Sequence, residues 1–107
     1  MYDFYRKFFC EGDKQMIVRY SVVAHGRVQG VGFRYFAQYE ARRRGLTGWV
    51  KNCEADHMIE MEVQGEVERV EAFVDEIKKG PPFARVERVE QYAIPTVPHE
   101  TTFRIIY

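Results

Sequence analysis

The chain has 107 residues, enough for one domain with a single core and no disulfide staples, and 46% of them are hydrophobic. Sixteen basic side chains cancel sixteen acidic ones, which argues against a broad nucleic-acid or acidic-membrane surface, because both want a basic excess. Cys10 and Cys53 form no Cys-x-x-Cys pair and read as reduced thiols of a cytosolic protein.

Residues 1–15 (MYDFYRKFFCEGDKQ) carry scattered charge and no apolar run of signal-peptide length. No stretch of the chain approaches the ~18 apolar residues of a membrane span. A cytoplasmic location is the expectation by default. Tyr2, Tyr5, Phe8 and Phe9 fall at helical spacing, so this leader is either disordered or a small extra helix. Met16 stands just before the first clear strand, where a natural start could lie. Residues 1–15 are therefore expected to be an appendage and residues 16–107 the domain.

Ile17 to Ala24 reads as a strand, with Val18, Tyr20, Val22 and Ala24 on one face. A helix is predicted from Phe33 to Arg44, its apolar stripe made by Phe33, Phe36, Ala37 and Ala41. Arg42, Arg43 and Arg44 complement its dipole and Gly45 supplies the left-handed cap. Between strand and helix lies Gly26-Arg27-Val28-Gln29-Gly30-Val31-Gly32. Glycine tolerates positive φ, so successive N–H groups of such a turn can point into one concavity, and the helix N-terminus adds its own free donors. Arg34, in the first helical turn, has a planar and always-charged fork that can grip an oxyanion. The segment reads as a cradle for a small anion, phosphate being the natural match, although a plain tight turn has the same look. It is neither a Walker loop nor a dinucleotide fingerprint, since no Gly-Lys-Ser/Thr follows and the glycines fall at 26, 30 and 32.

Leu46 to Cys53 reads as a strand with Trp49 as its large packing residue, and Glu54-Ala55-Asp56 as a hairpin loop. In the next strand, His57 to Gln64, Ile59, Met61 and Val63 alternate with Glu60, Glu62 and Gln64. Glu60 and Glu62 mark its solvent face more naturally than an acid–base pair. A second helix is predicted over Glu66–Lys79, with Val67, Val70, Phe73, Val74 and Ile77 as its stripe and Gly80-Pro81-Pro82 as its stop. Two strands follow, Ala84 to Tyr92 and Thr102 to Tyr107. Val86 and Val89 are out of period-2 phase, which predicts a bulge or a twisted edge. The order βαββαβ with a short extra C-terminal strand predicts a ferredoxin-like two-layer α/β sandwich (α+β), two helices on one face of an antiparallel sheet.

On these residues the chain resembles the acylphosphatase family. Gly26 to Arg34 reproduces its G-x-V-Q-G-V-x-F-R pattern, Gly48-Trp49-Val50-Lys51-Asn52 its second run, and Gly80-Pro81 with Val86 beyond is a weaker third point. The resemblance covers about residues 17–107. It implies hydrolysis of an acyl phosphate to a carboxylate and inorganic phosphate, with no metal and no organic cofactor. The loop Gly26, Arg27, Val28, Gln29, Gly30, Val31 and Gly32 would hold the phosphoryl group together with Arg34, and Asn52 would orient the attacking water. The implied partner is a small-molecule acyl phosphate, not nucleic acid or membrane, and a monomer is expected.

After Asn52 the family has three residues and then a glycine, whereas Cys53-Glu54-Ala55-Asp56-His57 is one residue longer and glycine-free. Asp56 or His57 at a left-handed position would close such a hairpin. Cys53 and His57 suggest a Cys–His pair, but Cys53 alternates to the face opposite Asn52 and both read as turn residues. His25 and His99 have no ligand-like partners in sequence. The rival reading is a catalytically silent module of the same fold that binds a phosphorylated small molecule. An RNA-binding module would show stacked aromatics where Glu60 and Glu62 stand.

Overall fold

Alternating and helical periodicities resolve into seven elements in the computed structural model, which describes residues 16–30, 32–54 and 57–107. They are β1 (Ile17–Arg27), α1 (Phe33–Arg43), β2 (Thr47–Asn52), β3 (Met58–Glu66), α2 (Val67–Lys79), β4 (Arg85–Ile94) and β5 (Phe103–Ile105). The expected leader, and the loop positions Val31, Ala55 and Asp56, lie outside the described residues.

The strands form one sheet in the order β4-β1-β3-β2-β5. β1 pairs antiparallel with β3 and β4, and β2 antiparallel with β3, as the ferredoxin-like order requires. The sheet is nevertheless mixed and not wholly antiparallel, because β5 runs parallel to β2, with Val50 opposite Ile105. A period-2 pattern carries no direction, so the sequence could not distinguish these pairings. The chain leaves β4 at one edge and reaches β5 at the other, a journey that permits the parallel approach.

The core fills the layer between sheet and helices. Val22 and Ala24 of β1, Val50 of β2 and Ile59, Met61 and Val63 of β3 present one fully buried face. Phe33, Ala37 and Ala41 of α1 and Val70, Phe73, Val74 and Ile77 of α2 cover it. Phe103 of β5 closes the end, its ring 5.9 Å from that of Phe73. Each large side chain so buried contributes about 1.5–3 kcal/mol relative to exposure. Glu40 is buried among these residues, bonded to Arg43 at 3.1 Å and to Arg44. Burial opposes its ionisation, but the two guanidinium groups outweigh that and hold its carboxyl below the usual range.

The irregularity foreseen at Val86 and Val89 is a register shift. His25 faces Arg88 but Gly26 faces Val86, so Glu87 is the extra residue of a bulge in β4. That extra residue lets Val86 and Val89 both pack against the core. Gly26 is the only residue type that fits opposite it, since a Cβ there would lie 2.1 Å from the Arg85 carbonyl oxygen.

The sheet's other face is not simply solvated. Arg19 is 3% exposed, with its Nε donating to Glu62 at 2.9 Å and its Nη1 to Gln64 at 3.1 Å and Glu100 at 2.8 Å. Gln64 also accepts from the Val97 N–H at 2.9 Å and donates to the Val97 carbonyl at 3.0 Å. This network ties the β4–β5 connection down on the open face. Glu62, read from alternation as a solvent marker, is thus a partner of a buried cation; Glu60 does remain at the surface, 3.9 Å from Lys51. Trp49 also lies on this face, half-buried with the Lys51 ammonium 5.7 Å from its ring, and is not part of the core.

Candidate active site

The site begins where β1 stops pairing. Val28 is fully buried and anchors the start of the turn, Gly30 and Gly32 sit at φ 75° and 78°, and α1 starts immediately after. A side chain on a non-glycine residue would be strained at either φ, so the two glycines set the path of the loop. Gly32 caps α1 without any side-chain oxygen, and the first turn contains no acidic residue. The free N–H groups and positive end of the helix are therefore left for a ligand.

Gln29 determines how this loop meets the neighbouring hairpin. Its Nε2 donates to the Met58 carbonyl at 2.8 Å and to the Cys53 carbonyl at 3.1 Å. The Gly26 N–H donates to the His57 carbonyl at 2.9 Å, and the Cys53 N–H to the Met58 carbonyl at 3.2 Å. These bonds span the glycine-free turn and hold the end of β2 against the cradle. Among the described residues the only non-glycine at positive φ is His99, so His57 does not take the left-handed position considered for it. Asp56 lies outside the described residues.

Val28, Gly30, Gly32, Phe33, Arg34, Tyr35 and Asn52 line a cavity of about 80 Å³. Pockets for drug-sized ligands run to roughly 300–1,000 Å³, so this one suits a group of a few atoms. Asn52 Oδ1 is buried there without a hydrogen-bond partner among the described residues. Buried polar atoms are almost always paired, and an orphan acceptor costs about 1–3 kcal/mol unless something fills the site. Arg34 has no carboxylate partner among the described residues; its guanidinium carbon lies 5.0 Å from the centroid of the Tyr107 ring. A held but unpaired cation and an unpaired amide oxygen thus face one small cavity at a helix N-terminus.

A profile of the acylphosphatase family matches residues 20–105. The chain belongs to the acylphosphatase family. It is 51% identical over 89 residues to an acylphosphatase of Geobacillus thermodenitrificans, covering 83% of this chain and 94% of that protein. It is 48% identical over 92 residues to one of Clostridium acetobutylicum, covering 86% of this chain and all of the other. The crystal structure of acylphosphatase from Bacillus subtilis superposes with a TM-score of 0.79 at 39% identity, covering 86% of this chain and all of that one.

Within this acylphosphatase domain the expected site residues divide into two groups. Val28, Gly30, Gly32, Arg34 and Asn52 come together around the cavity. Gly26 and Arg27 face a separate depression with His57 and Glu87, and Arg27 reaches toward the Phe83 carbonyl at 3.5 Å. The Gln29 side chain serves the hairpin, and Val31 lies outside the described residues. Sequence reasoning missed Phe33, Tyr35 and Tyr107. Tyr35 follows Arg34 on the solvent side of α1, a signal that could have been used; nothing local connects Tyr107 with Arg34.

Cys53, just past the end of β2, is within electrostatic reach of Glu60 and Lys51. Its thiol is pushed up by burial and by Glu60, more than Lys51 pulls it down. A raised thiol is the reverse of what a nucleophilic cysteine needs.

Proposed function

We propose that the acyl phosphate hydrolysis of this family runs in the 80 Å³ cavity, with Arg34, the loop amides and Asn52 as its working parts. The orphaned Asn52 Oδ1 carries this assignment. In the reaction, water oxygen bonds to phosphorus as the bond from phosphorus to the acyl oxygen breaks. The acyl group leaves as a carboxylate with the bond's electron pair, and both protons of the water end on the released phosphate.

An acyl phosphate already carries a good leaving group, so neither a covalent nucleophile nor a strong base is required. What lowers the barrier is placement of the water and stabilisation of the oxygens that crowd around phosphorus. Arg34 and the free N–H groups at the start of α1 supply charge and donors to the phosphoryl oxygens. An amide can accept from the water through Oδ1 and donate to a phosphate oxygen through Nδ2, which suits Asn52 to aim the nucleophile. A silent phosphate binder has no use for an unpaired acceptor beside the cradle, and Asn52 thereby supports catalysis over binding alone. The reading extends to a cytoplasmic monomer acting on a small molecule and not on nucleic acid or membrane; the equal numbers of basic and acidic residues support the exclusion of extended polyanions.

Hydrolysis of acetyl phosphate in ¹⁸O-labelled water tests the bond assignment. Label is expected in phosphate. Label in acetate would mean attack at carbon, for which this arrangement provides nothing.

A further inference from the structure

Beside the cradle, α1 carries a second and larger depression of about 440 Å³, lined by Tyr35, Gln38, Tyr39, Arg42 and Arg43. Tyr35 lines both cavities, so the groove and the phosphoryl site lie next to each other on either side of that residue. Packing does not account for its aromatic walls. α1 buries Phe33, Ala37, Glu40 and Ala41 against the sheet, whereas Tyr35 and Tyr39 are 62% and 64% exposed.

The charges of the groove are not equivalent. Glu40 is the only acid of α1, and Arg43 and Arg44 both bind it. Arg43 is further drawn over the Tyr39 ring, at 6.0 Å. Arg42 uses its Nε to donate to the Phe103 carbonyl at 3.2 Å, and no carboxylate among the described residues pairs with its terminal nitrogens. Its stem is fixed and its charge is available. Residues 34, 38 and 42 follow each other at i, i+4 on one face of the helix, which puts Arg42 roughly 12 Å from Arg34 along the axis.

We infer that this groove receives the acyl part of the substrate and favours acyl phosphates whose acyl group ends in a second anion, with Tyr35 and Tyr39 as its walls and Arg42 as the far contact. The inference rests on the proposed reading of the cradle. A phosphoryl group held at Arg34 places the acyl group within reach of this groove, past Tyr35. Apolar walls suit the body of an acyl chain, and an unpaired cation at the far end suits an anionic terminus.

Three probes separate these statements: acetyl phosphate, too short to reach the groove; pentanoyl phosphate, which fills it without a second charge; and the glutaric acid monophosphate, which adds a terminal carboxylate. The intact chain should hydrolyse the glutaryl compound with kcat/KM about 3- to 5-fold above the pentanoyl compound, a preference that added salt erodes. Arg42→Gln should remove that preference and Arg42→Lys should keep part of it. Tyr39→Ala should lower both longer substrates about 3-fold and leave acetyl phosphate unchanged. Equal rates for glutaryl and pentanoyl phosphate, or a preference that survives Arg42→Gln, would overturn the inference. So would a Tyr39→Ala change that shifts stability or association but not substrate choice, since the groove would then serve a protein contact. Failure to hydrolyse acetyl phosphate at all is a different result, and would remove the reading of the cradle itself.

Discussion

Two arginines of this domain are handled in opposite ways. Arg19, on the open face of the sheet, is 3% exposed and is met by Glu62, Gln64 and Glu100. Burial alone would pull its pKa down, but the paired carboxylates more than offset it and the net direction is upward. Arg34, at the start of α1, has no carboxylate partner among the described residues and shares its cavity with an unsatisfied amide oxygen. A saturated buried cation holds parts of the fold together. A positioned but unsaturated one is, on the proposed function, left for an anion from outside. The contrast lies in the accounting of partners and not in residue type, since both are arginines.

The contrast can be broken by exchanging what each loses. Arg34→Ala should lower kcat/KM for acetyl phosphate by about 10³-fold and weaken inhibition by inorganic phosphate at least about tenfold, while thermal stability stays within about 0.5 kcal/mol. A large loss of stability there would mean that Arg34 is also structural. Arg19→Met should do the reverse. Removing one partner of a buried pair leaves Glu62 and Glu100 uncompensated, and a loss of about 3 kcal/mol in urea unfolding is expected with kcat per folded molecule unchanged.

The smallest effect is a pH dependence on the Arg19 side of this comparison. Glu100 is opposed by its own burial, yet hydrogen bonds from Arg19 and Thr47 hold its carboxyl below its ordinary value of 4.5. A carboxyl depressed in the folded state contributes stability that is fully present above the unfolded value and lost as the pH falls through the folded one. Stability should therefore decline below about pH 4.5, and Glu100→Gln should make that part of the profile less steep, the rest belonging to Glu40. An unchanged slope in the variant would place the acid sensitivity on other groups.

The same contrast explains what was legible in the sequence. The strand of Ile59, Met61 and Val63 and the helical stripe of Val70, Phe73, Val74 and Ile77 announced themselves because burial imposes a period on neighbouring residues. The glycine-rich turn was legible because its chemistry is local: positive φ at Gly30 and Gly32, then a helix start bearing Arg34. The Arg19 network had no such local signature. Its partner Glu100 is 81 residues away, and an arginine alternating with valines and tyrosine reads as solvated until a crossing segment covers it. The direction of β5 was equally hidden, as was the Tyr107 ring beside Arg34, for each depends on where a distant segment returns. Glu40 was the nearest to a missed clue, because Arg43 and Arg44 stand at i+3 and i+4 from it. The long hairpin after Asn52 was read as a departure, and its remedy, the Gln29 side chain across two carbonyls, lay in the cradle motif itself.

The central claim is that Asn52 aims the water while Arg34 and the loop hold the phosphate. Steady-state hydrolysis of acetyl phosphate by Asn52→Ala, with the inhibition constant of inorganic phosphate measured on the same preparation, separates the two tasks most directly. The account predicts a fall in kcat of about 10²-fold or more with phosphate binding changed less than about threefold. Turnover that persists in Asn52→Ala, with phosphate still bound at the cradle, would contradict it.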